Sequence, residues 1–274
     1  MECRKGNLDL LRCISMYLVV VLHNCVHGLQ YSNLQNNTYN IANNTPYIVF
    51  LVSFSSIAVN IFFMISGYFH SGFKLKKLVN LYFEVGFWAG ICYLIYIIFV
   101  AKNKGGLFIE FLRLGKNTVL GFSFYWFIIA YITIYVVSGF VIKGLNALSN
   151  VELNKLIVIL LIVEVFFGFC FKSVTYGGPR TILPSLTMYI LGYWIYRYQH
   201  VVCLYRKTLY VGYVISLLIV TALGGYFIYN KKYQWGWEIT TDYYNPLIIF
   251  MSFGVFIFFL NLKVPANLLL KRVS

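Results

Sequence analysis

Charge is scarce in this chain of 274 residues. Only 11% of its residues are Asp, Glu, Lys or Arg, against roughly 25% in a soluble domain. That shortage excludes an ordinary globular domain with a single anchor. Acidic residues are the rarest charged type, with 8 Asp and Glu against 22 Lys and Arg. The 6 cysteines form no CxxC pair and mostly lie in apolar runs, so neither a disulfide framework nor a zinc ribbon is indicated. HExxH is missing, as are linkers, low-complexity tails and the strict alternation of a membrane β-barrel. What is present is apolar: 60% of residues are hydrophobic and the mean hydropathy is +0.75. The chain reads as a multi-span membrane protein.

The net charge of +14 raises the question of nucleic acid. The Lys and Arg residues answer it, because they sit in short clusters between apolar spans, as topology determinants do. Their partners on this reading are anionic lipid headgroups of the membrane, and no nucleic acid is expected. A helix needs about 20 apolar residues to cross the hydrocarbon core. Eight spans follow: 8–29, 47–69, 78–100, 121–142, 155–171, 181–199, 207–229 and 243–263. Backbone polar groups cannot stay unpaired in lipid, so each span is a helix. The fold expected is all-α, a polytopic transmembrane bundle forming a single integral-membrane domain over residues 1–274. With the N-terminus cytoplasmic, thirteen basic residues fall inside and eight outside, which favours that orientation. The uncharged loop 30–46, with NNT at 36–38 and 43–45, then lies outside as a polar turn, and the basic loop 101–120 is the awkward member of the set.

One stretch carries unusual polarity. Residues 7–29, NLDLLRCISMYLVVVLHNCVHGL, hold Asp9, Arg12, His23 and His27 within an apolar helix. Its length, its ionisable residues and the lack of a small-residue cleavage site set it apart from a signal peptide. Ionisable groups inside a span are costly and mark function by default. Eleven residues at about 100° each put Arg12 and His23 within roughly 20° of one face, about 16 Å apart along the axis. One face of one helix thus presents a fixed cation near one membrane surface and an imidazole deeper in. The other helices are expected to wall in that face.

The Arg, ten residues, His pattern within LDLLRCISMYLVVVLH resembles the signature of the acyltransferase 3 family, integral membrane enzymes that O-acylate glycans and lipid-linked sugars. FFMISGYF at 62–69, the basic KLKK at 74–77 and the aromatic YWF at 125–127 strengthen the likeness. The resemblance implies an O-acyltransferase, most simply an O-acetyltransferase, of the bacterial inner membrane. Acetyl-CoA would be the acyl donor, docking from the cytoplasm, and a surface polysaccharide or lipid-linked sugar the acceptor. It also implies about ten spans. Eight are read here and the chain stops at NLLLKRVS, so either a member shortened at its C-terminus or an incomplete reading frame is expected.

For each residue a functional and a structural reading stand side by side. His23 is a general base toward a sugar hydroxyl or a histidine bonded between helices; the resemblance favours the base. Arg12 holds the phosphate or acyl end of the coenzyme, or snorkels and pairs with Asp9. Lys74, Lys76 and Lys77 dock coenzyme A phosphates or serve as positive-inside determinants. Trp126, with Tyr125, contacts the sugar or belongs to the aromatic belt. Arg180 meets an anionic glycan or caps a loop. His27, four residues past His23, has the spacing of a zinc pair but no third ligand, so no metal is expected. Glu84 and Glu164 are relay carboxylates or protonated acids bonded to neighbours. Ser66 has no base beside it, and Gly67 most simply permits close helix approach. The alternatives to the enzyme are a proton-coupled transporter or flippase for a lipid-linked sugar, which should show repeats with interrupted helices, and an inactive family member.

Overall fold

A computed structural model describes residues 6–29, 31, 41–70, 72–99, 126–172 and 180–264. Tyr125, the sequon at 36–38, the loop 101–120 and the basic residues at 271 and 272 lie outside the described residues. Among those described, every regular element is helical. The helices are α1 (Gly6–His23), α2 (Ile41–Ser55), α3 (Ala58–Phe69), α4 (Leu75–Phe99), α5 (Trp126–Ala147), α6 (Asn150–Val163), α7 (Ile182–Leu204), α8 (Arg206–Tyr229), α9 (Tyr233–Thr241) and α10 (Pro246–Asn261). α1 runs on into a π-helical turn, Asn24–Gly28, and α6 into another, Glu164–Cys170. Seven segments of this set are long and apolar enough to cross a membrane. α7, with 23 residues, is the eighth expected span; Ser185 and Thr187 lower its hydropathy and are buried inside protein rather than in lipid.

Two expectations are revised. α2 begins at Ile41, so the second sequon, 43–45, belongs to a helix and not to the polar loop. Residues 233–241, read as exterior loop, form α9, and the span beyond them starts at Pro246 instead of 243. Asn245 caps that start by accepting from Leu247 N–H at 2.9 Å, and Pro at the first helical position has no N–H to leave unpaired.

The chain divides into two compact units, residues 1–70 with 148–274, and residues 71–147. In the first, α3 is the central helix, buried on nearly every side, as a helix apolar all round should be. It lies against α7. A Cβ on Gly67 would fall 1.8 Å from the Tyr189 carbonyl oxygen, and one on Gly192 would fall 2.0 Å from that of Met64. The two backbones touch, which is how helices associate where lipid is as apolar as leucine. Tyr68 Oη then donates to Gln199 Oε1 at 2.7 Å. α10 packs on α8 and, with α1, on α3. Asn7 Nδ2 donates to the carbonyls of Phe259 (2.9 Å) and Leu260 (3.2 Å). It thereby satisfies the orphan acceptors at the C-terminus of α10 and sets the start of α1 beside it. α6 opens with a capping box readable in SNVE, in which Ser149 Oγ accepts from Glu152 N–H. It is tied to α7 by Trp194 Nε1–H to Asn154 (2.7 Å) and Arg197 to Asn150 (2.7 Å).

The second unit holds α4 and α5, and the residues leading into α4 touch α5. Tyr135 Oη accepts from Lys74 N–H at 3.0 Å, and its ring lies 5.7 Å from that of Phe73.

Gly192→Ala should lower the stability of the detergent-purified protein by about 1–3 kcal/mol or more, because the methyl has no room to form. Gly225→Ala in α8 meets nothing within 4 Å and should leave the thermal midpoint unchanged or raise it slightly. Equal midpoints for the two variants would show that α3 and α7 are not in backbone contact.

Candidate functional site

α1 carries Arg12 in its second turn and His23 as its last α-helical residue, and the two ends are held differently. At the Arg12 end, the guanidinium donates from Nη1 to Asp9 Oδ1 at 3.1 Å. The guanidinium carbon also lies 4.9 Å from the centroid of the Phe69 ring, at the end of α3. The Asp9 side chain is 2% exposed and that of Arg12 33%. Burying a carboxylate without a partner would be costly; Arg12 supplies one while keeping part of its fork toward the outside. Phe69 closes the FFMISGYF segment, so the structure joins two of the stretches that the sequence singled out.

His70, just past Phe69, was not foreseen. It takes a left-handed conformation, φ 33°, and caps α3 through its N–H to Gly67 O at 3.1 Å. Its ring centre lies 4.4 Å from that of Tyr196 of α7, the two planes tilted by 50°. The only advance sign was a helix ending in a histidine before Ser71 and Gly72.

At the other end, His23 Nδ1 is 2.8 Å from the Val19 carbonyl oxygen. A carbonyl only accepts, so Nδ1 carries a hydrogen. In the neutral ring the lone pair is therefore on Nε2. His23 is exposed, and the helix fixes its tautomer and direction. The π turn follows at once, with Leu29 N–H bonded to Asn24 O at 2.8 Å. Such turns inside α-helices recur at functional sites. The wider turn brings the His27 ring to 5.8 Å from that of His23. Among the described residues no group of three or more His, Cys, Asp and Glu is placed to hold a metal ion.

The Arg12–His23 face is walled in on one flank among the described residues. From the second turn onward the buried residues of α1 are Leu11, Ser15, Leu18 and Leu22, one arc at about 100° per residue. Met16, Tyr17 and Val20, on the opposite arc, are exposed. Arg12 and His23 fall between the two, along a seam that the described residues pack on one flank. Beyond His23 the packed flank continues through Cys25, Val26 and Tyr31 against Ile48, Val49 and Val52 of α2. Tyr31 Oη is 2.8 Å from Thr240 Oγ1, and its ring lies 5.6 Å from Trp237. Burial raises the Tyr31 phenol above its ordinary value, so it stays neutral.

The remaining candidates stand on other elements. Arg180, exposed at the foot of α7, lies 5.9 Å from the ring centre of Trp237. Lys74, Lys76 and Lys77 are exposed around the start of α4, and Trp126 is half-buried at the start of α5. Ser66 Oγ donates to Phe62 O at 3.0 Å, a bond within its own helix, and Gly67 serves the close approach described above. Glu84 is exposed, while Glu164 is buried beside Thr187.

Histidine labelled with 15N should show His23 protonated on Nδ1 and bare on Nε2 at a pH where the ring is neutral. The assignment comes from the signal missing in His23→Gln. The opposite tautomer would mean that the bond to Val19 does not form.

Comparison with curated proteins gave no match, and neither did comparison with solved structures. The family model described as acyltransferase domain, that of acyltransferase 3, matches residues 5–272. With its apolar helices and the Arg12–His23 seam within that match, the chain belongs to the acyltransferase 3 family and is a membrane acyltransferase.

Proposed function

We propose that the protein transfers an acetyl group from acetyl-CoA to a hydroxyl of a surface polysaccharide or a lipid-linked sugar, with His23 as general base. The observation that carries this reading is the fixed His23 ring. Nδ1–H is committed to Val19 O, leaving Nε2 as the only ring atom able to take a proton. In the proposed step, Nε2 accepts the proton of the acceptor hydroxyl as its oxygen attacks the thioester carbonyl. The tetrahedral intermediate expels the coenzyme A thiolate, which recovers the proton from the imidazolium. The ester bond forms, the thioester bond breaks, and the free thiol leaves. A base in this role contributes about 10²–10⁴-fold.

Arg12 is assigned to the acyl donor. Its guanidinium is already oriented by Asp9 and Phe69, so little side-chain entropy remains to be lost on binding phosphate or carbonyl oxygen. The length of seam between Arg12 and His23 suits a long, thin coenzyme arm laid along α1. Lys74, Lys76 and Lys77 are proposed to meet the donor's phosphates from a cytoplasmic face, which requires the N-terminus inside. Trp126 and Arg180 are proposed contacts of the acceptor. The proposed site of action is the bacterial inner membrane.

A transporter of lipid-linked sugar is the second reading. It draws support from two interruptions in the apolar segments, at residues 56–57 and 242–245, since discontinuous helices line transport sites. Release of coenzyme A thiol separates the two, because transport releases none.

Membranes containing the protein, given labelled acetyl-CoA, should pass label into extracted glycan or lipid-linked sugar with release of thiol. His23→Ala should lose at least about 100-fold of that rate while still binding acetyl-CoA. Arg12→Lys keeps the charge but not the fork, and should raise the KM for acetyl-CoA more than it lowers kcat. Undiminished transfer by His23→Ala would overturn the assignment of the base.

A further inference from the structure

His70 ends α3 with a strained backbone. Its φ of 33° lies in the left-handed region, where helix ends usually carry glycine or asparagine. A side chain with a Cβ is disfavoured there. It persists only where the surroundings hold it, and such strain gathers at ligand sites and switches.

The surroundings of this ring are specific. Two tyrosines of α7 stand against it, Tyr196 at 4.4 Å and tilted, Tyr193 at 6.0 Å and edge-on. Arg197 in turn donates to the Tyr193 hydroxyl at 3.3 Å. His70 Nδ1 lies 3.0 Å from the Tyr68 carbonyl oxygen, one of the acceptors that a helix C-terminus leaves without an intrahelical partner. A carbonyl only accepts, so Nδ1 carries a hydrogen. The residue is half-buried, and among the described residues Nε2 has no hydrogen-bond partner. With tyrosines against the ring and Nδ1 committed, the Nε2 edge is what the side chain has to offer.

A second basic group attends the same helix end. The Arg12 guanidinium of α1 lies over the ring of Phe69, the neighbour of His70, and is turned by Asp9. A third of the Arg12 side chain, 33%, is exposed. A helix C-terminus carries partial negative charge and favours cations beside it, so an anionic ligand comes there only where cations offset that charge. Arg12 is one such cation, and an imidazole protonated on both nitrogens is another. Two basic groups brought by separate elements to one helix end fit a ligand with more than one anionic group. The coenzyme of the acyl donor carries several phosphates, at the end remote from its thioester.

We propose that His70 is a donor-binding residue of the acyltransferase and meets a phosphate of the acyl-CoA through Nε2–H. Nδ1–H keeps its bond to the Tyr68 carbonyl, Nε2 takes a proton from solvent as the coenzyme binds, and Nε2–H donates to a phosphate oxygen. No covalent bond is made or broken in this step. The inference rests on the acyl-transfer reading and adds a residue to the donor end of its site.

The test is a calorimetric titration of the purified full chain with coenzyme A and with pantetheine, which lacks the phosphates. His70→Asn, a side chain that tolerates the left-handed region, should weaken coenzyme A about tenfold, the scale of one hydrogen bond to a charged group. It should leave pantetheine unchanged, whereas a role in packing alone would move both alike or neither. His70→Gly should give the same loss. Each variant's thermal midpoint is compared with the parent's, so that either variant, once folded, decides. In chain labelled with 15N-histidine near neutral pH, coenzyme A should convert the His70 signal to that of a ring protonated on both nitrogens, and pantetheine should not. The signal is assigned by its absence from His70→Asn. Unchanged coenzyme A affinity in the folded variants, or a neutral His70 ring with the coenzyme bound, would overturn the proposal. Displacement of coenzyme A by phosphatidylglycerol in mixed micelles, seen in the parent and lost in His70→Asn, would give the contact to a lipid headgroup and overturn it too. Acetyl transfer is followed on the same preparations. Coenzyme A binding that depends on His70, without transfer, would strike the acyl-transfer reading and leave the phosphate contact standing. Transfer by the parent, with coenzyme A binding indifferent to His70, would strike this inference alone.

Discussion

The contact between the backbones of α3 and α7 is the constraint from which the rest of the larger unit takes its position. Gly67 over Tyr189 and Gly192 over Met64 leave no space for a side chain. In lipid no hydrophobic force draws two helices together, so dispersion across such a close approach has to serve. Fixing α3 fixes both of its ends. At one end Phe69 receives the Arg12 guanidinium and His70 caps the helix against Tyr196. Near the other, Asn60 reaches the Tyr243 carbonyl and holds the turn between α9 and α10. The seam on α1 and the half-helix α9 are thus referred to a common central strut, although neither touches the glycine pair.

The parts legible in the sequence are those set by short spacings. Eleven residues between Arg12 and His23 put both on one face of one helix, and the helix forms as the apolar run demands. The pairing of Arg12 with Asp9 follows from their separation of three residues. The SG pair at 66–67 has a glycine needed for close packing and a serine bonded to its own helix. What the spacing could not give was the depth of His23. Whether a face is covered depends on the neighbours of α1, and among the described residues these cover the arc of Leu11, Ser15, Leu18 and Leu22.

The less legible parts depend on contacts between distant residues. α9 is too short to span, and Gln234 and Glu238 give it the polarity of a loop. Its helical form comes from packing on α8, and its setting from partners such as Tyr31, 209 residues from Thr240, and from Lys172 and Arg180. The Asn-Pro step at 245–246 did announce the start of α10, being a cap residue followed by the imino acid favoured at the first helical position. The π turns carry no comparable mark. An extra residue in a helical turn is a matter of how the following segment packs, and Asn24–Gly28 has no breaker before its final glycine.

The Asp9–Arg12 pair bears on how the protein is made. Both charges belong to one turn of one helix, so they offset each other before any other span has been synthesised. A lone arginine or carboxylate on that helix would meet the translocon and the lipid uncompensated, at a cost that rises toward about 2.5–3.5 kcal/mol for each at the middle of a span. As a self-contained pair, they let the first helix enter the membrane without waiting for α3, and the aromatic ring of Phe69 arrives later to a guanidinium already in place.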